Sequence, residues 1–281
     1  MKPFRWNIEK IEQLGRLTSG QRSEAYPEFV GELRRCASRV VGGAGGGRLV
    51  FVGRSPESLF DYLSGVFSGT SWDERLVHLN VSNRWSRVSD IEKENPGAVR
   101  ALEAHFELVG LAPDQIIAER LPTCLVDLVA SGSTFGQIAE FLVGWNARGS
   151  NDQAALRHKL LVLGITMREQ SSPKAWRWFQ HADWIEVTGI DAIKNVSIGE
   201  RLWRYLGNEQ AKVTDANTPR RWDDQDILLP PRDTRRIEAL RRAADLFRRG
   251  VSEKGEFATL LAGEKSMSEA WLRDLVGELR S

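Results

Sequence analysis

Short unbroken apolar runs, set apart by glycine, proline and serine, alternate along the chain with stretches whose apolar residues recur at helical spacing. Residues 27–40 place Phe29, Val30, Leu33, Cys36 and Val40 near a helical period, with Glu and Arg between them, which predicts a helix. The glycine-rich run 42–47 follows. It precedes a strand and holds no lysine, so it reads as a flexible linker and not as a phosphate loop. Leu49-Val50-Phe51-Val52 has the character of a strand buried on both faces of a parallel sheet. It ends at Gly53-Arg54-Ser55-Pro56-Glu57-Ser58, where Ser55 suits an N-cap and Pro56 a first helical residue. Leu59, Phe60, Leu63, Val66 and Phe67 then continue at helical spacing.

Further strands are expected at residues 76–81, 124–129 and 160–165, and a fifth at 184–187. Between them lie a long polar surface loop over 82–97 and helical segments over 99–109 and about 113–119. A helix is marked by Phe135, Ile138, Phe141, Leu142 and Trp145, and another is expected near 174–181. Strands alternating with helices imply an α/β fold: an open, mostly parallel sheet with flanking helices. Beyond Gly189 the pattern weakens. Residues 220–232 read as a linker or long loop, and 235–249 and 266–279 as helices of mixed charge. The expected organisation is an N-terminal helical segment and Gly-rich linker (1–47), an α/β core (48–190) and a largely helical C-terminal extension (191–281).

Charge and composition narrow the function classes. The formal net charge is +1 over 281 residues, so no global field favours nucleic acid. No stretch approaches the roughly 18 apolar residues of a membrane span, and no apolar leader core follows the N-terminal charges. Two cysteines, Cys36 and Cys124, argue against a disulfide scaffold and a zinc site, and His78, His105, His158 and His181 lack metal-ligand spacing. A cytoplasmic protein is expected. Trp176, Trp178, Trp184, Trp203 and Trp222 read as packing residues before nucleobase platforms. Arg235-Arg236, Arg241-Arg242 and Arg248-Arg249, interspersed with Glu238 and Asp245, read as a solvated face, with a protein partner or a second copy as the contact open to the C-terminal helices.

The candidate chemistry lies at residues 127–134. A buried strand delivers its C-terminal end to the sheet edge, where open α/β folds bind ligands. The chain then turns through Ser131-Gly132-Ser133-Thr134 into a helix. Gly132 permits close backbone approach, three hydroxyls can donate to phosphate oxygens, and the helix start adds N–H groups and a positive dipole end. Asp127 stands in an otherwise apolar strand, from which it can reach sugar hydroxyls at the mouth of the sheet.

Cys124-Leu125-Val126-Asp127-Leu128-Val129-Ala130-Ser131-Gly132-Ser133-Thr134 resembles the diphosphoribosyl-binding signature of type I phosphoribosyltransferases: an apolar strand, two acids, small or apolar residues, then Thr-Gly-Gly-Thr. Ala130 matches the alanine before the threonine in adenine- and orotate-type members. The resemblance implies that Ser131, Gly132, Ser133 and Thr134 cradle a ribose 5′-phosphate and that Asp127 binds ribose hydroxyls. It places Gly53, Arg54 and Ser55 at the pyrophosphate turn. Arg84 and Arg87 fall on the loop that closes over the reacting centre. A family member passes through an oxocarbenium-like ribosyl centre while a nitrogen nucleophile displaces pyrophosphate escorted by magnesium. Val126 stands at the first acidic position of the signature, and Glu57 brings a negative charge to the pyrophosphate turn. The implied function is binding of phosphoribosyl diphosphate or a nucleoside monophosphate, with transfer to a nitrogen acceptor. The alternatives are a non-catalytic nucleotide-sensing or adaptor protein on the same fold, and an unrelated α/β enzyme holding another phosphorylated substrate.

Overall fold

The computed structural model describes residues 4–19, 25–82, 88–149, 152–168, 178–224, 226, 229–230 and 232–281. Helix α1 (Phe29–Gly43) precedes strand β1 (Arg48–Val52), helix α2 (Glu57–Phe67) and strand β2 (Leu76–Leu79). Helices α3 (Val88–Glu94), α4 (Pro96–Leu108) and α5 (Pro113–Ala118) lead to strand β3 (Thr123–Leu128). Helices α6 (Ser133–Arg148) and α7 (Gln153–Lys159) precede strand β4 (Leu160–Met167). Helix α8 (Trp184–Thr188), strand β5 (Ile193–Ile198) and helix α9 (Glu200–Arg204) follow. The chain ends in helices α10 (Thr234–Ser252), α11 (Lys254–Ala262) and α12 (Ala270–Arg280).

The five strands form one all-parallel sheet in the order β2-β1-β3-β4-β5. Its inner strands bury both faces, which explains their continuous apolar runs. Leu49, Phe51, Val126 and Leu163 pack with α1, α2, α11 and α12 on one side. Val50, Val52, Leu125 and Val162 pack with α4 to α7 on the other. The chain steps outward from β1 to β2, then returns past β1 to β3 and runs on to β4. The strand order therefore reverses between β1 and β3, and a crevice opens beyond their C-terminal ends.

Several expectations change. Residues 184–187 are helical, not the fifth strand. Trp184 is buried beside Trp178, the Thr188 hydroxyl donates to the Trp184 carbonyl at 2.8 Å, and Gly189 ends the turn at φ 68°. Packing of one large ring overrides the β-propensity of Trp-Ile-Glu-Val. The fifth strand is β5, whose edge position leaves Lys194 and Asn195 exposed and dilutes its apolar alternation. The loop expected over 82–97 contains α3, anchored by buried Ile91, and α4 already begins at Pro96. Ser55 is not an N-cap, because α2 starts at Glu57 with no side-chain cap. The glycine run is no slack linker either. A Cβ on Gly43 would lie 2.6 Å from Leu163, Gly47 abuts the Pro122 carbonyl, and Gly46 lies under the Trp271 ring. Of the helix expected near 174–181, residues 178–181 form a 3-10 turn, and 174–177, with Trp176, lie outside the described residues.

The C-terminal extension is folded onto the core. Helix α10 crosses α2 backbone to backbone: a Cβ on Gly65 would overlap the Phe247 carbonyl, and one on Gly250 would collide with the Tyr62 carbonyl. Arginines of α10 are held by the chain itself, Arg236 by Asp215 at 2.5 Å, Arg249 by Asp245 at 3.0 Å and Arg241 by the Leu17 carbonyl at 3.2 Å. Trp178, Trp184 and Trp222 are buried in the α4–α7 layer. Among the described residues no helix is long and apolar enough to cross a membrane.

The crossing leaves no flexible side chain to yield. Gly65→Ala is expected to cost about 3 kcal/mol or more, lowering the melting temperature by roughly 6–12 °C. A scanning-calorimetry shift under 2 °C would show the crossing to be loose.

Candidate functional site

At the end of β3 the side chains alternate faces. Val126 points into the α1–α2 core, and Asp127 turns to the mouth of the crevice. Gly132 then takes φ 82° as the N-cap of α6, a left-handed conformation that favours glycine. A side chain there would also enter the Trp178 ring. That ring lies between Gly132 and Gly164, and its indole N–H donates to Asn195 at 3.2 Å. The turn is thus backed by a rigid aromatic wall. Ser131 and Ser133 present exposed hydroxyls, Ser131 donating to the Ser133 hydroxyl at 3.2 Å and accepting from the Ser133 N–H at 3.4 Å, while the N-cap residue Gly132 has no side chain to offer α6. The first N–H groups of that helix lack intrahelical partners by construction, which suits an anion.

Residues 127–135 line a cavity of about 250 Å³. A second cleft, of about 180 Å³, lies beside it under Gly53, Arg54, Ser55, Ser82, Asp127, Thr134, Gly207 and Lys212. Asp127 and Thr134 line both. The turns after β1 and β3 therefore line two adjoining lobes at the switch point. A larger cavity, about 320 Å³ between Tyr26, Phe29 and α10, involves neither turn.

Lys212, from the polar stretch after the π-turn Tyr205–Glu209, was not among the residues expected at the site. Its ammonium donates to the Leu206 carbonyl at 2.5 Å. The segment carrying it is fastened across the strand ends. Ser58 donates to Gln210 at 2.5 Å, and Gln210 donates to the Ser55 carbonyl at 2.8 Å. The buried Glu57 carboxylate accepts from the Val213 N–H at 2.7 Å, the Thr214 N–H at 3.1 Å and the Thr214 hydroxyl. Asn217 donates to the Asn80 carbonyl at 2.8 Å, Asn80 to the Asp215 carbonyl at 3.2 Å, and the Ser82 N–H to the Asn217 carbonyl at 3.0 Å. No periodic or motif signal marks this stretch, because tertiary contacts alone set its position.

The turn after β1 is consequently less open than expected. The Gly53 N–H donates to the Leu79 carbonyl at 2.8 Å, and the Gly53 carbonyl accepts from His78 Nε2 at 2.8 Å. Glu57 is directed at the Val213–Thr214 backbone. Gly53, Arg54 and Ser55 do line the cleft. Arg84 and Arg87 lie outside the described residues.

Burial pushes the Asp127 carboxyl up to about 8, against the opposing pull of the Leu128 N–H at 2.7 Å, the Lys212 charge and the Thr134 hydroxyl. Burial likewise brings Lys212 down to about 8; Arg54 pushes the same way, and Glu57 and Asp127 oppose it. At neutral pH the site thus presents a mostly protonated acid beside a charged amine.

These groups offer a magnesium ion one carboxylate and two neighbouring cations. Magnesium takes oxygen ligands, usually one or two carboxylates with substrate phosphates and water. Asp127 is the one carboxylate lining the cleft among the described residues, it favours its protonated form, and Lys212 and Arg54 would repel a cation. No group of three or more His, Cys, Asp or Glu side chains among the described residues is placed to hold a metal ion.

Comparison of the chain with family models, curated proteins and solved structures finds no match.

The raised Asp127 value has a stability consequence. The folded state keeps a proton that the unfolded chain loses above about 3.8, so wild-type stability falls as pH rises towards about 8. Asn does not titrate. The unfolding free energy of Asp127→Asn relative to wild type is therefore expected to rise from pH 5 to pH 8, by up to about 1.4 kcal/mol per pH unit, and to level off above, read as a growing difference in melting temperature. A difference independent of pH across that range would show that Asp127 titrates normally.

Proposed function

We propose that the chain is a phosphoribosyltransferase-like protein that binds a phosphorylated ribosyl ligand, phosphoribosyl diphosphate or a nucleoside monophosphate, as a nucleotide-sensing or adaptor protein. The supporting observation is the convergence of both turns on one bilobed crevice at the strand-order reversal, with Asp127 and Thr134 common to both lobes. In this reading Ser131, Gly132, Ser133 and Thr134 receive the 5′-phosphate. Asp127 meets the ribose hydroxyls, and Arg54 faces the anomeric side. The non-catalytic form is favoured by Val126, whose side chain points away from the crevice, and by the hydrogen bonds that close the turn after β1.

Transfer to a nitrogen acceptor is the second reading. Asp127 favours it, because a carboxyl that exchanges its proton near pH 8 can accept or give one at neutral pH. Cytoplasmic residence agrees with either reading.

Thermal unfolding with phosphoribosyl diphosphate, ribose 5-phosphate and AMP tests both. A ligand at a hundred times its dissociation constant adds about 2.7 kcal/mol, a rise on the order of 5–10 °C. The double variant Ser131→Ala with Thr134→Ala is expected to weaken ribose 5-phosphate binding about 100-fold, since each hydrogen bond to a charged group contributes roughly 1.5–3 kcal/mol. Unchanged affinity would remove the phosphate assignment. Release of diphosphate on adding bases or amines would establish transfer.

A further inference from the structure

A lysine is almost never buried unless something answers its charge. Lys212 is half-buried at the switch-point crevice, and one of its donors is satisfied by the Leu206 carbonyl. The charged groups acting on it from the surrounding elements are Glu57 of α2, Arg54 of the turn after β1 and Asp127 of β3. Glu57 already accepts three hydrogen bonds from Val213 and Thr214. Asp127 receives the Leu128 N–H and the Thr134 hydroxyl. Glu57 and Asp127 favour the charged form of Lys212 and Arg54 opposes it, and Arg54 and Lys212 line the same small cleft, where an incoming anion would favour both charges.

The fastening of residues 210–217 has a further implication. None of those hydrogen bonds needs a lysine at 212, yet together they fix the backbone on either side of it, and the Leu206 carbonyl holds its ammonium. A preorganised charge held by a rigid surround is what anion recognition requires. We propose that Lys212 is the resident cation of the crevice: it binds the phosphate or diphosphate of the ligand directly, in the place a magnesium ion would take, so that binding needs no divalent metal. This rests on reading the crevice as a phosphoribosyl site.

The test is calorimetric titration of phosphoribosyl diphosphate and ribose 5-phosphate into the full chain at pH 7, once in EDTA and once in millimolar magnesium, for wild type, Lys212→Arg and Lys212→Met. Wild type is expected to bind the diphosphate in EDTA within about threefold of its affinity in magnesium. Lys212→Met should lose at least tenfold in EDTA and Lys212→Arg much less, with melting temperatures confirming that both variants fold. Binding by wild type only when magnesium is present, or unchanged affinity of Lys212→Met in EDTA, overturns the role of Lys212 while leaving the phosphoribosyl reading intact. Absence of binding by wild type to both ligands in both buffers removes that reading, and the role of Lys212 with it.

Discussion

The buried carboxylate of Glu57 is the contact on which the arrangement of the crevice depends. It sits in the first turn of α2 and accepts two backbone N–H groups and a hydroxyl from Val213 and Thr214. Those backbone donors lie in irregular chain, where neither helix nor sheet supplies a partner, and burying them unpaired would cost about 1–3 kcal/mol each. One side chain thus satisfies the middle of the segment that passes over the strand ends after β5. Gln210 and the Asn80–Asn217 contacts complete the fastening. Without Glu57 the segment would keep its Gln210 and Asn217 fastenings at either end, and the Val213 and Thr214 N–H groups between them would lose their shared acceptor.

The same contact changes what a helix start can do. A carboxylate in the first turn is favourable to the helix dipole and unfavourable to an incoming anion. At α2 the chain uses that position for its own architecture. At α6 it leaves the first turn free of acids and lines it with hydroxyls. Two strand-turn-helix units of similar topology thus differ in electrostatic character, the one after β1 carrying a buried acid in its first helical turn and the one after β3 none. Burial pushes both Asp127 and Lys212 towards their neutral forms, away from the charge states they would hold in water. Such departures from ordinary stability rules concentrate where ligands bind.

The central strands and their helices were legible in the sequence because continuous apolar runs and helical periods are local signals. β1, β3 and β4 follow the expected runs, and the turn at Ser131–Thr134 stands where its spacing placed it. What failed was non-local. Trp184 is helical because Gly136 and Trp178 receive its ring, and β5 hides its pattern because an edge strand need bury only Val196 and Ile198. The glycine run, which reads as slack, is tight because other residues press on it. Glu57 could be seen as a charge in the wrong place for an anion. Its true partners lie about 156 residues away and carry no motif. Lys212 was invisible for the same reason.

This division between local and non-local parts bears on what the extension contributes. The lobe at the turn after β3 is built from nine consecutive residues, 127–135, and needs only β3, α6 and the Trp178 wall. The cation lobe needs β1, β2, α2 and the segment beyond β5. That segment continues to Asp215, which holds Arg236 on α10, and α10 meets α2 through Gly65 and Gly250 with no side chain between. A ligand that engages Lys212 therefore touches a strap whose next contact is the C-terminal helical layer. Contiguous contact of this kind is one physical means by which ligand occupancy can be felt on a distant surface. It gives the sensing reading a physical route that a free-standing phosphate turn would lack, and it makes the C-terminal extension a structural part of the crevice.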